Sequence, residues 1–252
     1  MNNISDLSRK SFKAFPLDWD TEYFGVKSAK VILTDSTTKD EQNEILAYCS
    51  KFDFVTITNL NSKNENNVWI GKKTKAFLTD MNIQFTKQIK RQPHIIDKFT
   101  SVYNCFPKNE DILKIAQDAF LYSRFFNDPW LPKVQAQNIY VHWTKCAFNK
   151  PEKYFVIIKR NTQIAGYLLF SINLKDLFAT IELIAVDEVF RGHNIGKSLI
   201  TGLETFVYEK GIKTIKVGTQ VDNVSATGFY LANGFQYVSC SSIYHYWPNK
   251  FV

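Results

Sequence analysis

Between Ile181 and Leu199 the chain reads IELIAVDEVFRGHNIGKSL. Arg191, Gly192, His193, Asn194, Ile195, Gly196 and Lys197 form a basic, glycine-bearing run inside it. These types suit phosphate, because main-chain N–H groups at a helix start point outward and the helix dipole favours negative charge there. The flanks are what such a run needs to be held in place. Thr180 to Val186 is apolar with a strand's composition, Asp187 to Arg191 is a polar break, and the residues from about His193 to Lys210 have helical spacing, with Gly211 as a stop. A strand thus feeds a helix through a basic turn.

The rest of the chain supplies the frame. Its 252 residues suffice for one large or two small domains, and 45% hydrophobic with 22% charged residues is a globular composition. Val26–Leu33 and Phe54–Leu60 read as strands, Lys39–Ser50 as a helix, the asparagine-rich stretch 59–67 as a loop, Thr74–Met81 as a short helix and Ile83–Ile89 as a strand. These make a small α/β unit over residues 1–91. Pro93 to Pro107 marks a boundary, with a strand of the next domain expected from His94 to Phe99. Asn109–Phe125 reads as an amphipathic helix, and Tyr154 to Phe178 as hairpin strands. A strand at Lys213–Thr219, a helix at Asn223–Asn233 and closing strands over Phe235–Trp247 complete the second domain, residues 92–252.

Four cysteines, Cys49, Cys105, Cys146 and Cys240, lack metal-ligand or redox spacing, so no metal is expected and a reducing cytoplasm suits them. No apolar run approaches the ~20 residues of a membrane span, and the N-terminus lacks a secretory signal's apolar segment. The net charge of +7 comes from dispersed lysines, which argues against nucleic acid and would equally attract a phosphorylated small substrate.

This order of elements resembles the GNAT superfamily of N-acetyltransferases. Its signature, R/Q-x-x-G-x-G/A after a strand, is matched by Arg191-Gly192-His193-Asn194-Ile195-Gly196, with Asn194 standing where a central glycine is usual. Asparagine tolerates the left-handed conformation better than most residues. A second signature is matched by Asn223, Tyr230, Gly234 and Phe235. The resemblance implies an α/β (α+β) GNAT fold, with a mixed, mostly antiparallel sheet flanked by helices and a smaller N-terminal α/β domain, and acetyl-CoA as cofactor. The pyrophosphate of coenzyme A would lie on Gly192 to Lys197, with charge from Arg191 or Lys197. The peptide-like pantetheine arm would pair with the strand at Ile184, Ala185 and Val186. Asn223 would contact the cofactor or cap its helix, Tyr230 would donate a proton to the departing thiolate, and Glu182 is the candidate base, with His142 and His245 as further options.

WDTEYFGVKSAKV, AFLYSRFFNDPW with the later Tyr140 and Trp143, and TQVDNVSATGFYLANGF are similar to the dTDP-fucosamine acetyltransferase family, over most of the chain. That implies acetylation of the amino group of a nucleotide-linked amino sugar of the dTDP-4-amino-4,6-dideoxyhexose type, for bacterial surface polysaccharide. Arg124 would meet a diphosphate, and Trp130, Tyr140 and Trp143 would line the acceptor side. No nucleic-acid or membrane partner is implied, and a homodimer is compatible with it. Action on a protein or peptide amine, and a non-catalytic CoA-binding module, are the alternatives.

Overall fold

The computed structural model describes residues 10–90 and 97–250. In chain order it contains β1 (Phe12–Pro16), α1 (Asp18–Phe24), β2 (Ser28–Leu33), α2 (Lys39–Cys49), β3 (Phe54–Asn59), α3 (Asn64–Lys73), β4 (Phe77–Gln88) and β5 (Thr100–Asn104). Then come α4 (Glu110–Ala119), α5 (Lys133–Gln137), α6 (Ile139–Ala147), β6 (Tyr154–Arg160), β7 (Gln163–Asn173) and β8 (Phe178–Val186). The last elements are α7 (Ile195–Glu209), β9 (Thr214–Gln220), α8 (Val224–Ala232) and β10 (Gln236–Tyr246). Contacts group the described residues into two compact units, 10–82 with 127–135 and 240–250, and 83–90 with 97–126 and 136–239. The boundary expected after Arg91 lies outside the described residues, as does the start of the strand expected from His94; residues 97–99 form a turn closed by Thr100 N–H on Asp97 O (2.9 Å).

In the first unit β1 runs antiparallel to β2, β2 parallel to β3, and the end of β10 antiparallel to β3. Ala29, Val31, Leu33, Val55 and Ile57 alternate onto one face and meet Ile45 of α2 and Trp69 and Ile70 of α3. Two expectations fail here. The stretch 59–67 is no simple loop, because α3 begins at Asn64. Thr74 to Met81 is not helical: Thr74 leaves α3 in an extended conformation (φ −127°), its hydroxyl donating to Ile70 O (2.6 Å), and β4 follows. Most of β4 is half-buried, so it lacks the strict alternation by which a strand is read.

In the second unit β5, β6, β7 and β8 are antiparallel neighbours in that order, and β9 lies parallel on β8. Helix α7 buries Ile195, Leu199, Ile200, Leu203 and Val207 against Val156, Leu168, Phe170 and Ile181. Each such side chain contributes about 1.5–3 kcal/mol, which fixes α7 on the sheet. Helix α4 buries Ile112, Ile115 and Ala116, and Asn109 caps it by accepting from Ile112 N–H (3.1 Å). It ends at Ala119, six residues short of the expected Phe125, because Phe120 turns extended (φ −99°, ψ 101°). No helix among the described residues is long and apolar enough to cross a membrane.

Candidate active site

Strands β8 and β9 pair only from Phe178–Thr214 to Ile181–Val217, although β8 continues to Val186 and β9 to Gln220. The ladder on the other side of β8 is irregular at the same point. There Leu183 faces Leu169 and Ile181 faces Phe170, so Glu182 is an extra residue in the β7–β8 ladder. A bulge bends a strand and sharpens its twist, and here it coincides with the point where β8 leaves β9. The β9-facing edge of Ile184, Ala185 and Val186 is therefore outside the β8–β9 ladder. Glu182 itself is exposed, and its carboxylate accepts from Lys153 Nζ at 2.6 and 2.7 Å.

After β8, Asp187 accepts from Val189 N–H (3.0 Å) and its own N–H donates to Ala165 O (3.0 Å), which folds the chain back over β7. Gly192 (φ 79°) and Asn194 (φ 59°) both take the left-handed conformation, as anticipated for Asn194. Arg191, Gly192, His193 and Asn194 are exposed, and His193 Nδ1 lies 2.9 Å from Arg191 O. Helix α7 begins at Ile195 with no side-chain cap and no acid in its first turn. Its first N–H groups have no partner within the helix, so they are offered to an anion. Two glycines bring the helix to this place. A Cβ on Gly166 of β7 would lie 2.9 Å from Ala185 O and 3.0 Å from Ile195 Cγ2, and one on Gly196 would lie 2.9 Å from Phe229 Cε2 of α8. Gly166 and Phe229 were not singled out from sequence, although a glycine inside a strand pattern is a signal of close approach.

Asn223 caps α8 by accepting from Ala226 N–H (3.0 Å), so the capping role is the one observed. Tyr230, 4% exposed, is enclosed by Phe85, Phe229 and Phe235 with ring centroids at 5.9, 5.5 and 5.5 Å. Burial pushes its phenol above the usual tyrosine range.

A second cluster in the same unit is aromatic. Phe120 stacks on Tyr140 (4.5 Å), Trp143 meets Tyr140 (5.3 Å) and Phe125 (6.0 Å) edge-on, and the Arg124 guanidinium sits 4.1 Å from the Phe125 centroid. The Tyr140 hydroxyl donates to Tyr122 O (2.8 Å) and accepts from Gln220 Nε2 (3.4 Å). Gln220, the last residue of β9, was also missed; nothing in the sequence pattern distinguishes it. Arg124, Tyr140 and Trp143 are thus brought together, whereas Trp130 belongs to the first unit, against Phe77 (5.1 Å) and Trp247 (6.1 Å). His245 is in that unit too, fully buried, with Nδ1 2.6 Å from Asp128 Oδ2, while His142 is half-buried on α6.

A sequence profile of the acetyltransferase (GNAT) family matches residues 110–235. The spore coat polysaccharide biosynthesis protein SpsD of Bacillus subtilis (strain 168) is 30% identical over 162 residues, covering 63% of this chain and 55% of that protein. The chain therefore spans just over half the length of that relative. Two solved structures share the fold. A GCN5-related N-acetyltransferase from Kribbella flavida has a TM-score of 0.61 at 11% identity, covering 94% of this chain and 87% of its own. One from Sphaerobacter thermophilus has 0.59 at 11%, covering 96% and 78%.

Proposed function

The chain belongs to the acetyltransferase (GNAT) family; from that premise we propose that it is an acetyl-CoA-dependent transferase whose acceptor is the amino group of a nucleotide-linked amino sugar, of the dTDP-4-amino-4,6-dideoxyhexose type, in surface polysaccharide synthesis. The observation that carries this acceptor is the 30% identity to a polysaccharide biosynthesis protein. The aromatic cluster around Tyr140, with the Arg124 guanidinium beside it, supports it chemically: flat rings suit a sugar or base face, and a fixed guanidinium suits a diphosphate.

The donor end fits acetyl-CoA on two observations. The start of α7 is uncapped and free of acids, as a pyrophosphate requires, and the edge of β8 that has left β9 can pair with a peptide-like arm. Gly192 to Lys197 would hold the pyrophosphate, Arg191 and Lys197 would add charge, and Ile184 to Val186 would hold the arm. Bound acetyl-CoA supplies an acetyl thioester open to attack by a neutral amine. Tyr230 holds its proton on Oη for the departing sulfur, and burial keeps that proton in place beyond pH 10. Burial widens the gap between the phenol and a thiol near pKa ~8.5, so the donation is uphill as a separate step and has to be concerted with departure of the sulfur. Glu182, on the bulge, is the proposed acceptor of the ammonium proton, with Lys153 holding its carboxylate.

The test follows free thiol while the purified protein turns over acetyl-CoA with a panel of dTDP- and UDP-amino sugars. Release with a 4-amino sugar is expected. No release above hydrolysis with any sugar nucleotide would sink the acceptor, and release with a peptide amine instead would put the protein-directed alternative in its place.

A further inference from the structure

Lys87 is in β4, two residues beyond Phe85, so the two side chains leave the same face of the strand. Phe85 packs on the Tyr230 ring. Lys87 Nζ forms an ion pair with Glu204 of α7 and donates to the main-chain carbonyl of Asn233, the C-terminal cap of α8, at 2.7 Å. Its ammonium also lies 5.8 Å from the Phe235 ring centroid. A cation is favoured at this point, because the last carbonyls of a helix lack partners and carry its negative dipole end. Both ends of the bridge are sheltered, the Lys87 and Glu204 side chains being 23% and 13% exposed.

The two helices already meet elsewhere, where Gly196 of α7 faces Phe229 of α8. Gly196 and Glu204 are eight residues apart, about 12 Å along α7, and Phe229 and Asn233 are about one turn apart on α8. The Tyr230 ring packs among Phe85, Phe229 and Phe235, contacts that hold it by shape alone. The Lys87 bridge adds a directional polar tie from α7 to the C-terminal end of α8, three residues beyond Tyr230.

We propose that Lys87 is a positioning residue, whose bridge from Glu204 to Asn233 fixes where the Tyr230 hydroxyl stands relative to the start of α7. The proposal rests on Tyr230 being the proton donor. Proton transfer tolerates little displacement, and a misplacement of about 1 Å costs on the order of 10²-fold in rate, so partial release of α8 is expected to cost about 10-fold.

Lys87→Met, Lys87→Arg, the double variant Lys87→Met/Glu204→Met and Tyr230→Phe test it, with kcat and the acetyl-CoA KM measured by thiol release using whichever primary amine supports turnover, so that the acceptor assignment is not at stake. Lys87→Met is expected to lower kcat about 10-fold with KM within about twofold, and Lys87→Arg, which can keep both bonds, to recover most of the rate. The double variant leaves no buried lone carboxylate, so it should regain thermal stability and still be slow. Added to Tyr230→Phe, Lys87→Met should slow the reaction no further. A double variant with the unaltered kcat, or Lys87→Met and Tyr230→Phe effects that multiply, would overturn the positioning role alone. A Tyr230→Phe protein at full rate would overturn the proton donor and the positioning role together.

Discussion

The run β2–α2–β3–α3, which leads into β4, and the run β8–α7–β9–α8, which leads into β10, have the same order of elements, and in both the first two strands are parallel. They differ at the two places that matter for holding an anion and a peptide-like arm. Strands β2 and β3 stay paired along their whole length, from Ser28–Phe54 to Leu33–Asn59, whereas β8 leaves β9 after Ile181. Helix α2 opens with a complete capping box: Thr38 Oγ1 accepts from Glu41 N–H (3.3 Å) and Glu41 Oε2 accepts from Thr38 N–H (2.8 Å). Glu41 Oε1 also accepts from Ser11 N–H (2.9 Å), and these main-chain donors push its carboxyl down to about 2. An anion approaching α2 would meet two carboxylates, Asp40 and Glu41, in the first turn; one approaching α7 meets none. Topology therefore does not distinguish the proposed site from its counterpart. A missing cap and a one-residue bulge do.

If the first unit turns its polar groups inward and the second leaves them open, substitutions should separate cleanly into losses of stability and losses of rate. The largest effect belongs to Asp128. Its buried carboxylate meets His245 Nδ1 (2.6 Å) and accepts from the Trp247 indole (3.1 Å) and Trp130 N–H (2.9 Å). Asp128→Ala should cost about 3 kcal/mol by chemical denaturation with the acetyl-CoA KM unchanged. Burial alone would raise the Asp128 pKa, but the hydrogen bonds from His245, Trp130 and Trp247 hold it below the usual aspartate value. The stabilisation is therefore complete above the unfolded pKa of about 4 and is lost as the pH falls through the lower folded value. Below pH 4 the Asp128→Asn protein should lose less stability per pH unit than the parent. A change in KM with Asp128→Ala would break the comparison.

The converse case is Gly196→Val. Its Cβ would fall 2.9 Å from the Phe229 ring, so either the ring or the start of α7 must shift. We expect kcat/KM for acetyl-CoA to fall about 100-fold, or ~2.7 kcal/mol of transition-state stabilisation, while the denaturation midpoint changes far less than with Asp128→Ala. A smaller effect tests the sealed turn. Thr38→Ala should cost about 1 kcal/mol of stability and leave turnover untouched. Calorimetric titration of either protein with coenzyme A should give one site per chain; a second site would show that the capping box is not what closes α2.

What was legible in the sequence follows the same division. The Arg191–Gly196 turn and the Asn223 cap could be read because each helix start and its neighbours are local, and local signals such as a left-handed asparagine or a cap survive in the linear chain; Tyr230 entered only through the family resemblance. The inward-turned unit hid its structure for the opposite reason. Asn59, Asn66 and Asn67 read as a polar loop, yet Asn59 and Asn66 are fully buried because the amides satisfy one another: Asn59 Nδ2 donates to Asn67 Oδ1 (2.7 Å) and Asn66 Nδ2 to Asn59 Oδ1 (3.1 Å). Composition cannot distinguish solvated amides from mutually bonded ones. Trp130 and Trp143 were grouped by a family resemblance carried on short motifs, which hold no information about which unit each residue joins.

The smallest expected effect concerns the turn itself. Asn194 holds φ 59° as the residue before α7, and its side chain makes no cap hydrogen bond there. Glycine would reach the same conformation without the steric penalty that a side chain carries in the left-handed region, so Asn194→Gly should not destabilise the turn in the folded state. It would, however, widen the unfolded ensemble, and this entropy offsets the relief, leaving stability within about 1 kcal/mol of the parent. The side chain is exposed beside the helix start, where it either obstructs an incoming phosphate or donates to it. If the N–H groups alone bind the anion, the coenzyme A affinity of Asn194→Gly should rise by a few-fold, as the main chain becomes more accessible. A fall in affinity would mean that the amide contributes a bond of its own, and the contrast with α2 would then rest on a side chain added at α7 as well as on a cap withheld.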